Sequence, residues 1–213
     1  MINTYRTIRL PGRAEITEKK SSFIGQVIHA ESAGEAEEFY LTVRRKYYDA
    51  RHHCFAYITG EPGTPQEVRR MSDDGEPGGT AGHPMLEVLE GENLHHTAAI
   101  VTRYFGGTLL GTGGLVRAYT EAVKAALSAA SVITVIRGKK MTVRCSYAAS
   151  GKLMYLMASE KLPEPELIYK ENVEMTILVP APEAGRIRRL ILQITDGQAV
   201  FLSETETEYS QKE

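Results

Sequence analysis

The chain has 213 residues, 42% of them hydrophobic and 24% charged, with a formal net charge of −2. This balance excludes a disordered chain and suits a folded protein of two domains of roughly 100 residues each. A cut at residue 136 leaves 14 basic against 16 acidic residues before it and 11 against 11 after it, which excludes a globally basic nucleic-acid module.

Met1 to Arg6 lacks the apolar run of a signal peptide, and no stretch reaches the length of a membrane span. The expected location is cytoplasmic, with no membrane partner. Arg13 to Ala30 reads as two strands broken near Lys19-Lys20-Ser21-Ser22. Ser32-Ala33-Gly34-Glu35 is a capping-box pattern that opens a helix carrying Ala36, Phe39, Tyr40, Val43 and Tyr47 at helical spacing. Cys54 to Thr59 is a short apolar strand. From Gly60 to Pro84 six Gly and four Pro fall in 25 residues, which predicts a long structured loop.

Pro84 suits the start of a helix bearing Met85, Leu86 and Leu89 and ended by Gly91. Ala98 to Val101 reads as a buried strand. A second Gly-rich loop, residues 106–114, then feeds a helix with Leu115, Ala118, Tyr119, Ala122 and Ala126 on its inner face. These small residues allow the helix to sit close to a sheet.

The rest follows a simpler rhythm. Met141, Val143, Cys145 and Tyr147 alternate as a strand, and Ser150 is placed to cap a helix with Leu153, Met154 and Met157. A hairpin follows around Glu171-Asn172, then a helix from Pro182 ended by Gly197, then a strand over Ala199 to Leu202. The order βαββαβ is that of the ferredoxin-like fold. Arg137, Gly138, Lys139 and Lys140 read as an exposed link, so the expected domains are 1–136 and 137–213.

The densest chemistry lies in Ser72 to Pro84. Asp73, Asp74 and Glu76 stand among Gly75, Gly78, Gly79, Thr80 and Gly82, small residues whose bare N–H groups can curl into anion-binding nests. The bland alternative is an acidic turn packed against its neighbour. The carboxylate spacing fits no calcium loop, and no metal is expected. The second constellation joins Arg103, Gly106 and Gly107 to Gly111, Gly113, Gly114 and Arg117. A Gly-rich turn between a buried strand and a helix N-terminus favours an oxyanion, and the two arginines can bind phosphate. No Walker A lysine follows, and Val116 stands where G-x-G-x-x-G needs glycine. The alternative is a tight turn whose glycines permit helix–sheet contact.

His52, His53, His83, His95 and His96 with Cys54 invite a zinc reading. Neighbours on a strand point to opposite faces, however, and no Cys-x-x-Cys or His-Glu-x-x-His spacing is present. The two cysteines, Cys54 and Cys145, provide no disulfide framework. No Gly-x-Ser-x-Gly elbow supports acyl transfer.

Ser72 to Leu86 and Val101 to Tyr119 closely resemble the Impact/YigZ family, with supporting matches at Lys20 to Ile24 and Ala50 to Cys54. The resemblance implies a ribosomal-protein-S5-domain-2-like N-terminal domain, followed by a ferredoxin-like domain similar to the last domain of the translocation elongation factor. Eukaryotic Impact proteins dampen activation of the starvation-responsive initiation-factor kinase through an extra N-terminal RWD domain. This sequence starts almost directly at the S5-like region, so that role is not carried over. The resemblance implies an RNA- or ribosome-associated protein in translation regulation; the Gly-rich turn and its arginines allow a phosphate-bearing ligand, and no cofactor is expected. The alternative is an enzyme on a phosphorylated or nucleotide substrate, since the S5-like superfold also hosts kinases that hold phosphate on a Gly-rich loop. Binding is favoured over catalysis. The pointing of Arg103 and Arg117 discriminates: a closed pocket shared with Asp73 favours the enzyme, an open basic shelf favours RNA.

Overall fold

The computed structural model describes residues 3–210. The chain divides into two units, one up to Thr134 and one from Val135. Each has its own apolar core.

The first unit begins with β1 (Thr4–Leu10), β2 (Gly12–Glu18) and β3 (Ser21–His29). The β2–β3 turn is the pair Lys19-Lys20, both at positive φ (44° and 69°), the handedness that matches the twist of paired strands. α1 (Ala33–Lys46) starts at Ser32, whose side chain accepts from Glu35 N. Glu35 in turn accepts from Glu31 N at 3.0 Å, one residue outside the ideal capping box. β4 (His52–Thr59), β5 (Val68–Ser72), α2 (Gly82–Gly91), β6 (Thr97–Tyr104) and α3 (Thr112–Ser128) complete the unit.

Its sheet runs β2-β3-β6-β4-β5, antiparallel throughout. One face packs under α2 and α3, through Cys54, Ala56, Ile58, Ala99 and Val101. The other meets α1 through Tyr57 and Ala98. Burial on both faces explains why β6 reads as an unbroken apolar run rather than an alternation. α3 lies close on the sheet because two strand positions carry no side chain. A Cβ on Gly12 would fall 2.1 Å from Ala126 O, and one on Gly25 would fall 2.2 Å from Ala122 O. β1 is held by Arg6 N to Asn93 O and His95 N to Arg6 O, both 2.9 Å.

β7 (Ser131–Cys145), α4 (Tyr147–Ser159), β8 (Glu166–Tyr169), β9 (Val173–Pro180), α5 (Ala184–Ile194) and β10 (Val200–Ser210) follow. In the second unit the strand order β10-β7-β9-β8, antiparallel throughout, is the ferredoxin-like arrangement. With the first unit's S5-like sheet, the fold class is α+β. Met141, Val143, Met175, Ile177 and Val179 turn one sheet face onto Leu153, Met157, Ile187 and Ile191. The opposite face pairs Arg144 with Glu174 and Thr142 with Thr176.

Several expectations need correction. Residues 136–140 are not an exposed link but the middle of β7, paired with β10 throughout and, from Gly138 on, with β9 as well. Tyr147 does not extend β7; it begins α4, which Ser146 rather than Ser150 caps by accepting from Ala149 N. Residues 60–84 are not all loop, since they hold β5 and the first turn of α2. β5 (Val-Arg-Arg-Met-Ser) is a largely exposed edge strand without apolar alternation, so only its pairing with β4 defines it. Pro182 lies in a short 3-10 turn just ahead of α5. Among the described residues no helix is long and apolar enough to cross a membrane.

Candidate ligand-binding site

The segment after β5 folds around a carboxylate of its own. Asp73 Oδ1 accepts from Ala81 N at 2.9 Å and Gly82 N at 2.8 Å, and Oδ2 accepts from Gly79 N at 2.9 Å. Burial pulls this carboxyl upward, but the three N–H donors outweigh it and hold it below the usual carboxylate range. The nest expected to be bare is therefore filled from within, at the N-terminus of α2 where the helix dipole favours an anion. Asp74, at φ +41°, accepts from His53 N through Oδ2 at 2.6 Å. Thr80 donates to Pro77 O at 2.7 Å. Gly78 stands in open space.

Glu76 behaves differently. It is 8% exposed, and its Oε1 accepts from Arg103 Nη1 at 2.6 Å and Tyr119 Oη at 2.8 Å. Arg103, 5% exposed, stacks near Phe23 and Phe105, with its guanidinium 5.3 and 5.6 Å from the ring centres. Burial pushes the Tyr119 hydroxyl and the Cys54 thiol well above their ordinary values, so both stay protonated. His52 Nδ1 lies 2.8 Å from Asp74 O. A carbonyl only accepts, so Nδ1 carries the proton and Nε2, 4.0 Å from Glu76 Oε1, presents a lone pair when the ring is neutral.

These groups sit around a pocket of about 470 Å³. Gly75, Glu76 and Pro77 of the first Gly-rich segment line it, as do Arg51 and His52 at the start of β4. Arg103, Phe105 and the stretch Leu109, Leu110, Gly111, Thr112, with Leu115 of α3, form the rest. The two loops thus meet at one cleft. Of the residues singled out in the sequence, Gly75, Glu76, Arg103 and Gly111 line it. Asp73, Asp74, Gly78, Gly79, Thr80, Gly82, Gly106, Gly107, Gly113, Gly114 and Arg117 do not. Gly106 serves packing, because a Cβ there would fall 2.0 Å from the Lys20 backbone. Arg117 is exposed on α3, and two residues along a helix turn it about 200° from the pocket-lining Leu115. The expected Arg103–Arg117 pair is therefore not formed.

The sequence reading missed Arg51, Phe105, Leu109 and Thr112. Leu109, 83% exposed, and Phe105, 43% exposed, are large apolar groups left in solvent. Two such residues flanking glycines were the available signal. The histidines are dispersed: His95 Nδ1 contacts Glu67 at 2.5 Å, His96 contacts Glu31, His83 contacts Glu87, and His53 Nε2 donates to Tyr47 O. Among the described residues no group of three or more His, Cys, Asp or Glu is placed to hold a metal ion.

Fold and pocket together define a class: a two-unit α+β protein whose first unit carries a small-molecule-sized pocket between two Gly-rich loops. Residues 19–127 match the Impact N-terminal domain. IMPACT family member YvyE of Bacillus subtilis (strain 168) is 35% identical over 212 residues, which is 100% of this chain and 96% of that protein. IMPACT family member YigZ of Escherichia coli (strain K12) is 44% identical over 185 residues, 87% of this chain and 90% of that one. A crystal structure titled only as that of a hypothetical protein has a TM-score of 0.60 at 32% identity, covering 95% of this chain and 98% of that chain. The chain belongs to the Impact family.

Proposed function

We propose that this protein is an RNA- or ribosome-associated binding protein acting in translation regulation, and that its RNA contact is the pocket face of the first unit. The observation that carries this reading is Arg51 at the pocket beside the exposed Phe105 and Leu109. Cations that meet phosphates, next to an aromatic on which a base can stack, are how proteins hold single strands. Lys19 and Lys20 are exposed in a turn packed against Gly106, adding positive charge next to Phe105. The open sheet face of the second unit presents Lys140, Thr142, Arg144, Glu174 and Thr176, with the Tyr209 ring of β10 lying against Gly138.

The test is a titration with single-stranded RNA at two salt concentrations. Arg51→Ala is expected to weaken binding by about 10-fold or more. It should also reduce the slope of log K against log salt by about 0.7, the value for one lost single-strand phosphate contact. Arg117→Ala, on the solvent face of α3, should change neither. An unchanged slope for Arg51→Ala, or no RNA binding by the wild type, rejects the assignment.

A second reading, an enzyme on a phosphorylated or nucleotide substrate, draws on one observation. His52 Nε2 stands 4.0 Å from Glu76 Oε1, beside the buried Glu76–Arg103 pair at the pocket. Turnover of a nucleotide or sugar phosphate that is lost in His52→Gln would favour it.

A further inference from the structure

Two features around the start of α3 converge on one kind of ligand. α3 opens at Gly111 with no side-chain cap, and Gly111 and Thr112 line the pocket. The positive end of the helix, with its first-turn N–H groups uncapped, therefore borders this space. Arg103 lines the same space while 5% exposed, and its Nε is buried without a hydrogen-bond partner although Nη1 is bound to Glu76. A buried guanidinium N–H is expensive to leave unmatched.

We propose that this pocket binds a nucleotide by a terminal phosphate monoester. The phosphate lies against the first turn of α3 and Arg51, and the base lies on Phe105 and Leu109. A monoester carries about −1.5 to −2 charge at neutral pH. The cationic groups facing the pocket are Arg51, Arg103 and, when protonated, His52, against the single carboxylate of Glu76. At about 470 Å³ the space is that of a small-molecule site and holds one nucleotide rather than a length of strand. The nucleotide is either free or the 5′ end of an RNA. The second source rests on the RNA reading above; the first does not.

Isothermal titration of the full chain with the four nucleoside 5′-monophosphates, the parent nucleosides and inorganic phosphate separates the contributions. A parallel titration uses an octaribonucleotide with and without a 5′ phosphate. At least one monophosphate should bind about 10–100-fold tighter than its nucleoside, and the 5′ phosphate should strengthen the oligonucleotide by a similar factor if RNA is the source. Arg51→Ala should weaken the monophosphate about 10-fold without lowering the melting temperature. If every monophosphate binds no better than its nucleoside, the pocket inference is overturned, whatever the RNA titration gives. If monophosphates bind but neither oligonucleotide does, the pocket inference stands on a free nucleotide and the RNA reading fails.

Discussion

Asp73 and Glu76 stand three residues apart in the same acidic loop and do opposite things. Asp73 organises its own loop. Replacing it with Asn removes a charged acceptor from Gly79, Ala81 and Gly82 N–H groups, and should cost about 1.5–3 kcal/mol at neutral pH. Its folded pKa lies below the ordinary 3.8, so the unfolded chain binds the proton first as pH falls. The stabilisation is fully present above 3.8 and is lost as pH drops through the lower folded value. Urea denaturation across a pH series should therefore show wild type and Asp73→Asn converging in strong acid. A constant gap would mean that the charge is not what matters. Glu76 instead answers a buried guanidinium. Arg103→Met leaves that carboxylate buried with Tyr119 as its remaining short donor, and is expected to cost about 3–5 kcal/mol. Adding Glu76→Gln should recover part of this, which a double-mutant cycle measures. Additive losses would show the two residues to be energetically independent. None of this division was readable from the string Asp-Asp-Gly-Glu. Which carboxylate turns inward depends on Arg103 and Tyr119, 27 and 43 residues away.

Elements were legible where local chemistry and burial agree. α1 announced itself by Ser32 and Glu35, and α3 by a stripe of small residues whose purpose the structure makes concrete. Gly25 on β3 meets the backbone of α3 with no room for a methyl, since a Cβ would lie 2.2 Å from Ala122 O. A backbone atom cannot rotate away, so Gly25→Ala must push the helix off the sheet. About 1–3 kcal/mol of destabilisation, or more, is expected by chemical denaturation. A neutral outcome would mean that α3 shifts freely, and the α3 end of the pocket with it. What was not legible has a common cause. β5 is a polar edge strand, and β10 runs eight residues past Leu202 through Ser-Glu-Thr-Glu-Thr-Glu-Tyr-Ser, where only pairing with β7 holds it extended. The cap of α4 was misplaced from Ser146 to Ser150 because both serines precede apolar residues at helical spacing. Only the backbone at Ser146, φ −71° and ψ 160°, tells the cap from the helix interior.

At the scale of the whole chain, basic residues around Arg137 to Lys140 suggested an accessible joint that trypsin would cut. The structure reverses that expectation. Arg137 and Lys139 are paired in register with Glu208 and Glu206 of β10, and Lys139 and Lys140 with Val179 and Leu178 of β9. Lys139 Nζ contacts both Glu204 and Glu206 at 3.0 Å, and Arg137 Nε contacts Glu208 at 3.0 Å. The side-chain pairs are largely surface contacts and add little individually. The obstacle to cleavage is the backbone, because a protease needs an extended, unpaired segment and this one is paired with β10 throughout and with β9 from Gly138 on. β7 is also the strand between β9 and β10, and it carries Met141 and Val143 into the core of the second unit. Opening it means unfolding that core, so cleavage should follow global rather than local opening. Limited trypsin digestion under native conditions is thus expected to spare 137–140 and to cut first in exposed turns such as Lys19-Lys20. Cleavage at 137–140 should rise in step with loss of the second unit's circular dichroism as urea is added. Early fragments ending at Arg137, Lys139 or Lys140 in the absence of denaturant would show that β7 opens by itself.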